Sequence, residues 1–266
     1  MLDSFKREIN YLRVSVTDRC NMRCQYCMPA EGVSLLRHED ILTFEEITDI
    51  IRIAVSKGIS KVRITGGEPL VRKGIVSLIE QISKIKGIKD LSMTTNGIFL
   101  EEFAEPLAKA GMQRINISLD TLDPDKYREI TRGGDLEKVL RGIDAAKKAG
   151  LNPIKINCVV EDNSEEPDAI KIREFCIKNG LEFRFIHRMS LEKGHFSVVE
   201  GGSGGDCAHC NRLRLTANGK IKPCLFDDIE FDVRELGAEQ AISDAIKFKP
   251  ACGTFSKNGH FNKIGG

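Results

Sequence analysis

The chain contains 266 residues, of which 30% are charged and 41% hydrophobic, and its 40 Lys and Arg residues face 39 Asp and Glu residues. This length predicts one large α/β domain with at most a small appendage, and the balanced charge argues against a nucleic-acid-binding protein or other general polyanion binder. No apolar run approaches the ~20 residues that cross a bilayer, and residues 1–8 lack the apolar core of a secretory signal. We therefore expect a cytoplasmic protein with no membrane or nucleic-acid partner.

Short β-branched runs alternate with amphipathic stretches from Tyr11 to about His187, which predicts βα units around a parallel sheet. Strands are predicted at Leu12–Thr17, Lys61–Thr65, Asp90–Thr94, Arg114–Leu119, Ile154–Val160 and Glu182–His187. Helices are predicted from a Thr43/Glu46 capping box to Gly58, and at Val71–Ile85, Leu100–Ala110, Asp135–Ala149 and Pro167–Asn179. Six units are fewer than the eight of a complete barrel, so we expect a partial (βα)6 TIM-type barrel with its chemistry at the carboxyl ends of the strands.

The pattern changes after His187. The Gly-rich stretch within residues 190–206 has a linker composition, which also suits an engineered junction that replaces a longer segment. Beyond it, an Asn-Gly turn between two apolar runs, Asn211–Leu215 and Ile221–Leu225, predicts a β-hairpin. The expected organisation is therefore a barrel over residues 1–189, a linker over 190–206, and a small C-terminal subdomain and tail over 207–266.

Nine cysteines are the most informative feature of the composition. In a cytosolic chain they stay reduced, so clustered cysteines are expected to bind metal or to catalyse. Six of them form two groups with the spacings C-x3-C-x2-C and C-x2-C-x13-C: Cys20, Cys24 and Cys27, and Cys207, Cys210 and Cys224. The other three stand alone. Of these, Cys158 and Cys176 lie in apolar runs and are predicted to be small buried hydrophobic residues.

Each cysteine group supplies three thiolates and no evident fourth. Three thiolates on one loop can hold three corners of an iron–sulfur cube and leave one iron open to a small molecule. Zinc is the alternative at both places, with His38 completing the first site and His195 or His209 the second. If both sites bound metal only structurally, the chain would be an electron carrier or a zinc-binding module rather than an enzyme.

The residues around the first group carry a resemblance to a known family. Arg13–Pro29, with the sequence RVSVTDRCNMRCQYCMP, resembles the signature of the radical S-adenosylmethionine (SAM) enzymes, and Arg63–Leu70, RITGGEPL, is similar to their glycine-rich segment. The resemblance implies a [4Fe-4S] cluster whose open iron chelates SAM and whose electron cleaves SAM to a 5′-deoxyadenosyl radical. Gly66 and Gly67 would then let the backbone approach SAM, and Glu68 would accept from its ammonium group.

The residues around the second group narrow the resemblance to one family. NRLRLT at residues 211–216, KPCLF at 222–226 and the Gly265-Gly266 end are similar to the GTP 3′,8-cyclases of molybdenum cofactor biosynthesis. That resemblance implies a second [4Fe-4S] cluster that contacts guanine. It also implies that the 5′-deoxyadenosyl radical removes the ribose 3′-hydrogen of GTP, that C3′ then attacks guanine C8, and that reduction gives 3′,8-cyclo-7,8-dihydro-GTP.

The same resemblance assigns roles to individual residues. The positions that correspond to GTP contacts are Arg13, Arg63, Thr94, Lys155, Arg212 and Arg214; those around SAM are Tyr26, Gly66, Gly67, Glu68, Ser118 and Met189. Lys61 and Arg184 are weaker candidates for contacts with GTP. Five cations without an anion suit a triphosphate. Gly265 and Gly266 resemble a tail that the family inserts into its active site.

The resemblance to the family also implies partners for this chain. The implied partners are GTP, a reductase or ferredoxin-type electron donor, and a cyclic pyranopterin monophosphate synthase that receives the product; a monomer or a homodimer is expected. A radical SAM enzyme that modifies peptides is the alternative within the same chemistry. One departure from the family is visible, because only residues 190–206 separate Met189 from Cys207, where the family has a considerably longer segment that shields the cavity.

Overall fold

The computed structural model describes residues 1–257 and residue 261. Within this part of the chain the strands are β1 (Tyr11–Ser15), β2 (Lys61–Thr65), β3 (Asp90–Thr95), β4 (Arg114–Ser118), β5 (Ile154–Val160), β6 (Glu182–His187), β7 (Arg212–Leu215), β8 (Lys220–Lys222) and β9 (Phe231–Asp232). They form one sheet in the order β6-β5-β4-β3-β2-β1-β7-β8-β9. The pairs formed among β1 to β7 are parallel, whereas the β7-β8 and β8-β9 pairs are antiparallel. The predicted α/β class with a parallel sheet is confirmed.

The helices are α1 (Phe44–Ser56), α2 (Ile75–Ser83), α3 (Leu100–Lys109), α4 (Pro124–Thr131), α5 (Leu136–Lys148), α6 (Pro167–Asn179), α7 (Val233–Leu236) and α8 (Ala238–Lys247), with 3-10 turns at His38–Asp40 and Pro69–Val71. The capping box that predicts the start of α1 is present, since Thr43 and Glu46 accept from each other's backbone N–H. Within the described residues, no helix has an apolar run long enough to cross a bilayer.

Three helices were not predicted. Helix α4 begins at the standard signals of an Asp123 N-cap and Pro124 at the first position, but it is too polar to show an apolar period. Helices α7 and α8 follow the hairpin, in the region predicted as a small C-terminal subdomain and tail, and α8 buries Ala241, Ile242 and Ala245 against α1 and the sheet. These helices make the C-terminal third part of the main fold.

The two faces of the sheet differ sharply in chemistry. On β1 the buried side chains Leu12 and Val14 alternate with Tyr11 and Arg13, and the next four strands repeat this period of two. The apolar set packs against the helices in one continuous core, which includes Cys158 and Cys176, buried as predicted. The polar set faces the other side, so the inner face of this sheet is built to hold a polar ligand.

The C-terminal strands complete the inner face rather than forming a detached unit. Strand β7 adds to β1 in parallel, with Arg13 opposite Arg214, and the predicted hairpin continues into β8. The Gly-rich stretch predicted as a linker lies against the other end of the sheet, where Phe185 and Glu200 exchange backbone hydrogen bonds of 3.1 and 3.2 Å. The chain between β6 and β7 therefore follows the rim of the sheet.

Candidate active site

One cavity of about 520 Å³ occupies the inner face of the sheet. Side chains from all of the strands β1 to β7 line it, which requires the sheet to curve into a partial barrel. All six clustered cysteines also line it, with the first group at the end of β1 and the second group around the hairpin. A volume of this size suits a nucleotide-sized ligand or two smaller ones.

The first cysteine group is held by a tight turn after β1. The backbone N–H groups of Cys27 and Met28 donate to Cys24 O at 2.9 and 3.2 Å, and Met22 N donates to Cys20 Sγ at 3.4 Å. Burial raises the pKa of Cys20 to about 11 and that of Cys27 to about 12, and it raises the pKa of Cys24 further. Metal binding at these thiols therefore has to release protons.

The donor set fits an iron–sulfur cluster. Three sulfur ligands on one short loop suit soft iron–sulfur chemistry, and Asn96 Nδ2 lies 3.9 Å from Cys20 Sγ, as a further donor to sulfur. The described residues contain no group of three His, Cys, Asp or Glu side chains that could hold a single metal ion. None of His38, His195 and His209 therefore joins either cysteine group in such a single-ion site within these residues.

The glycine-rich segment after β2 packs directly on the cysteine loop. Gly67 N donates to Thr17 O at 2.7 Å and Glu68 N donates to Arg19 O at 2.8 Å. A Cβ on Gly67 would lie 2.3 Å from Arg19 O, and one on Gly66 would lie 2.7 Å from Thr17 O. Both glycines line the cavity as predicted, but their lack of a side chain serves the contact between the two loops.

Glu68 is almost fully buried beside these glycines. Its carboxylate accepts from Leu70 N at 3.0 Å, Thr95 Oγ1 at 2.7 Å and Asn96 N at 2.7 Å. Burial raises the pKa of Glu68 to about 7 despite these three donors. The carboxylate therefore joins the end of β3 to the glycine-rich segment, and it lies at the cavity where the predicted contact with SAM would form.

Tyr26, Ser118 and Met189, the other positions predicted around SAM, all line the cavity. Tyr26 Oη donates to Asp120 Oδ2 at 2.9 Å, and Val159 N donates to Asp120 Oδ1 at 2.8 Å. Asp120 is therefore the residue that positions Tyr26. The sequence interpretation missed it, although it follows directly on β4, where the chemistry of a parallel sheet is expected.

Asp120 gives a pH prediction with a definite sign. Burial raises the pKa of Asp120 from 3.8 to about 6, so ionising the folded chain becomes costly as pH rises through this range. Asp120→Asn keeps an acceptor for Val159 and removes that cost. We expect the variant to gain about 1–3 kcal/mol of unfolding free energy at pH 7.5 and nothing near pH 4, measured by urea titration.

Asp168 is the matched control for that measurement. Burial acts against its ionisation, but hydrogen bonds from Lys126 and Thr121 prevail and hold the pKa of Asp168 below its usual value. Asp168→Asn should therefore lose stability at pH 7.5. A gain of the same sign in both variants would refute the assigned role of Asp120.

A row of cations crosses the inner face of the sheet. Arg13 on β1 lies opposite Arg63 on β2 and Arg214 on β7, and the register continues to Lys222 on β8. Burial and neighbouring guanidinium groups lower the pKa of Arg13 well below its usual value, and the pKa of Arg63 and Arg214 falls to about 10. Like charges side by side on adjacent strands destabilise a sheet, so this row is suited to binding an anion.

The rest of the cavity has the same sign of charge. Its described lining carries eight Arg and Lys side chains and three carboxylates: Arg13, Lys61, Arg63, Arg114, Arg184, Arg188, Arg212 and Arg214 against Glu68, Asp90 and Asp206. Buried oxygen atoms of three other lining residues have no hydrogen-bond partner within the described part of the chain: Tyr11 Oη, Thr94 Oγ1 and Asn157 Oδ1. Charge and open hydrogen-bonding atoms together favour a polar anionic ligand.

The structure separates one predicted GTP contact from the others. Arg13, Arg63, Thr94, Arg212 and Arg214 all line the cavity. Lys155 is not among the described lining residues, and its ammonium forms an ion pair with Glu182 on the neighbouring strand. Lys155 therefore already has an anionic partner within the sheet.

A buried lysine that the sequence interpretation missed lies beside the second cysteine group. Lys249 is 3% exposed, and its Nζ donates to Arg212 O at 2.8 Å and Pro223 O at 2.5 Å. Burial acts to raise the pKa of Cys210, but the Lys249 ammonium and the backbone prevail and lower it. Burial raises the pKa of Cys224 in spite of the same ammonium. Lys249 thus supplies positive charge to sulfur ligands rather than to a carboxylate.

Lys249→Met should therefore change the redox properties of a cluster held by Cys207, Cys210 and Cys224. Removing a buried positive charge disfavours the reduced cluster, so we expect a fall in midpoint potential on the order of 60 mV, or about 1.4 kcal/mol for one electron. A redox titration followed by electron paramagnetic resonance measures it. Lys247→Met, on the exposed end of α8, is the control and should leave the potential unchanged; equal shifts in both would contradict the assignment.

The curved parallel sheet, the three-cysteine loop after β1 and the glycine-rich loop after β2 together define an iron–sulfur enzyme of the radical SAM class. Residues 14–176 match the profile of the Radical SAM superfamily, and residues 163–251 match that of Molybdenum Cofactor Synthesis C. The GTP 3′,8-cyclase of Alkaliphilus oremlandii is 43% identical over 94% of this chain and 93% of its own length, and that of Thermodesulfovibrio yellowstonii is 41% identical over 93% and 91%. The chain belongs to the GTP 3′,8-cyclase family.

The length of the alignment is relevant to the predicted shortening of residues 190–206. The alignment with the Alkaliphilus oremlandii protein extends over 298 positions, more than the 266 residues of this chain. That relative therefore contains residues that the chain lacks, in agreement with a shortened segment. Residues 196–197, 199 and 202–206 of the short segment line the cavity themselves.

Solved structures show the same fold at lower identity. Streptococcus suis SuiB bound to SAM superposes with a TM-score of 0.69 at 19% identity, over 92% of this chain and 65% of that one, slightly under two thirds of its length. Native anSMEcpe with bound SAM gives 0.63 at 17% identity, over 88% and 79%. The expected cofactors, SAM and two [4Fe-4S] clusters, follow from the family. Gly265 and Gly266 lie outside the described residues.

Proposed function

We propose that this chain converts GTP to 3′,8-cyclo-7,8-dihydro-GTP as a radical SAM lyase, the first step of molybdenum cofactor biosynthesis. The observation that carries the proposal is the row formed by Arg13, Arg63 and Arg214 inside a cavity that both cysteine groups line. A triphosphate supplies the negative charge that suits such a row of guanidinium groups, and a substrate without phosphate does not.

The cysteine groups are the holders of the two clusters. Cys20, Cys24 and Cys27 would bind the cluster that, with SAM, supplies a carbon-centred radical able to remove the ribose 3′-hydrogen. Cys207, Cys210 and Cys224 would bind the second cluster on the guanine side. Gly66, Gly67 and Glu68 fix the cysteine loop, and Asp120 orients Tyr26 at the same end of the cavity.

The substrate side is formed by the strands. Arg13, Arg63 and Arg214 would contact triphosphate oxygens, and Arg212, which donates to Ser203 Oγ at 2.6 Å and lies over the Tyr11 ring, would close the site from β7. The open oxygen of Thr94 is available to ribose or base. The resemblance to the family also assigns Lys155 a contact with GTP, but the ion pair between Lys155 and Glu182 would first have to break.

A peptide is the second candidate substrate, because enzymes that modify peptides share radical SAM chemistry with auxiliary clusters. The likeness to SuiB and anSMEcpe concerns the fold alone. Eight cations around the cavity favour the nucleotide, since an ordinary peptide has no phosphate for them.

The proposal also includes the partners that the chemistry requires. The reaction consumes electrons, so a reductase or ferredoxin-type protein would supply them, and a cyclic pyranopterin monophosphate synthase would take the product. Gly265 and Gly266 would reach the active site. Two groups of reduced cysteines suit the cytoplasm, where we place the enzyme.

The test is a single anaerobic assay. The protein is reconstituted with iron and sulfide, reduced with dithionite and given SAM with GTP or ATP. We expect 5′-deoxyadenosine and a cyclised nucleotide with GTP only. Deoxyadenosine without consumption of GTP would overturn the substrate assignment, and about one zinc per chain without sulfide would overturn the radical chemistry.

A further inference from the structure

The sequence pattern predicts that Cys252 stands alone, but in the structure it contacts another cysteine. Its Sγ lies 3.1 Å from Cys207 Sγ, across 45 residues of sequence. Cys252 is exposed, whereas Cys207 is half-buried. The second cysteine group thus has a fourth cysteine beside it, Cys252, which lies at the surface and has no part in the proposed mechanism.

The backbones that carry these two thiols are fixed to each other. Arg7 Nη1 donates to Cys207 O at 2.7 Å and to Ala251 O at 2.9 Å, and Arg7 Nη2 donates to Pro250 O at 2.6 Å. The guanidinium is itself held by Asp3 Oδ2 at 2.6 Å, in an ion pair whose side chains are almost completely buried. One arginine therefore joins the residue before Cys252 to Cys207, so the sulfur contact is part of a rigid arrangement.

A second clamp acts on the other side of the same segment. Lys249 Nζ binds the backbone carbonyls of Arg212 and Pro223, next to Cys224. Thr254 N donates to Phe226 O at 2.9 Å, and Gly253 passes so close to Cys224 that a Cβ there would lie 3.0 Å from its Sγ. Residues 249–254 are thus held against the hairpin along their whole length.

The two thiols differ in what else they face. Cys207 lines the cavity, and Cys252 is not among the described lining residues. Cys207 therefore contacts both the cavity and Cys252. A disulfide needs the sulfur atoms to close from 3.1 Å to about 2.05 Å, a movement of about 1 Å that side-chain rotation supplies.

We propose that Cys207 and Cys252 form a reversible disulfide whenever the second cysteine group carries no cluster, and that this bond must be reduced before the cluster can be assembled. The inference rests on the proposed function in one respect, the assignment of Cys207 as a cluster ligand. A small-molecule disulfide such as oxidised glutathione is the oxidant: the two protein thiols lose two electrons and two protons, one sulfur–sulfur bond forms in the protein, and one glutathione disulfide becomes two glutathione thiols.

The disulfide would have a protective consequence for the chain. A free cysteine that faces an open cavity is exposed to stepwise oxidation, and its sulfinic and sulfonic acids are not recovered by ordinary thiols. A bond to Cys252 stops Cys207 at the reversible level. Iron then cannot bind at Cys207 until a reductant has acted, so the redox state of the cell decides whether the second cluster is built.

The experiment uses the full chain after its clusters have been removed with a chelator. It is treated with oxidised glutathione, its free thiols are alkylated, and tryptic peptides are mapped by mass spectrometry. We expect the peptide of residues 194–212 to be linked to the peptide of residues 248–257 by a disulfide between Cys207 and Cys252, and we expect dithiothreitol to release both peptides. A bond between Cys207 and Cys210, or an alkylated Cys252, would overturn the proposal.

Cys252→Ser provides the second measurement. After treatment with oxidised glutathione and without reductant, reconstitution of the parent chain should fall short by about four irons, whereas Cys252→Ser should recover more of them. After treatment with hydrogen peroxide, which supplies the oxygen atoms, Cys252→Ser should show more sulfinic acid at Cys207 than the parent. Under reducing conditions the variant should bind iron and turn over like the parent; loss of iron there would make Cys252 a ligand and reject the disulfide. The mapping needs neither SAM nor GTP, so a failed cyclase assay leaves its result interpretable.

Discussion

Gly67→Ala is expected to reduce the rate of SAM cleavage at least about a hundredfold, because a methyl group at this position has no space. Its Cβ would lie 2.3 Å from Arg19 O, 2.7 Å from Arg19 C and 2.9 Å from Asp18 O. All three atoms are backbone, so the clash moves a loop rather than a flexible side chain. The loop that moves leads directly to Cys20, and the displacement therefore reaches the first cysteine group.

The measurement is 5′-deoxyadenosine formed under dithionite, together with iron content. Gly180→Ala is the control: Gly180 ends α6 with a positive φ of 66°, and a Cβ there meets no heavy atom within 4 Å. It should cost about 1 kcal/mol of stability and leave both iron and cleavage unchanged. Parental cleavage in Gly67→Ala would contradict the packing role of the glycine-rich segment.

Arg13→Met is expected to weaken GTP binding about 30- to 100-fold while making the ligand-free chain more stable. Arg13 is the centre of the row, with Arg63 and Arg214 directly opposite on its two sides. Charge-assisted bonds to phosphate are worth about 2–3 kcal/mol each, which is the affinity that the variant loses. Burial and the neighbouring guanidinium groups lower the pKa of Arg13, so its positive charge costs stability in the ligand-free chain, and a bound anion reduces that cost.

Two measurements separate these effects: GTP affinity by equilibrium dialysis and unfolding free energy by urea titration. Arg114→Met is the matched control from the same inner face. Arg114 has its own carboxylate, Asp90, at 2.7 and 2.5 Å, so its loss should destabilise the chain. Equal destabilisation in both variants would mean that the row is not strained, and the argument for a triphosphate would lose its physical basis.

The strands and the first cysteine group were predictable because their signals are local. Strands β2, β5 and β6 have the predicted bounds, since each is a short run rich in β-branched or aromatic residues. The spacing of Cys20, Cys24 and Cys27 also lies within one loop. Such features depend only on residues that are close together in the sequence, so the sequence is enough to predict them.

Features that depend on distant residues were not predictable in the same way. Nothing near Arg212 or Arg214 in sequence shows that β7 pairs with β1, although this pairing creates the cationic row. No motif in the sequence marks Arg7 or Lys249, and Cys252 stands alone there. Only the fold brings them to Cys207 and Cys210, because their partners lie more than 35 residues away.

The pairing of β7 with β1 also sets an order of events during synthesis. Of the described strands β1 is synthesised before the others, but its neighbour β7 follows some two hundred residues later. Until then Arg13 has only one flanking strand and the cavity lacks a wall, while Cys20, Cys24 and Cys27 are already present. At that stage the first cysteine group would be exposed to water. The enzyme therefore has to complete its sheet before either cysteine group is enclosed by the full cavity.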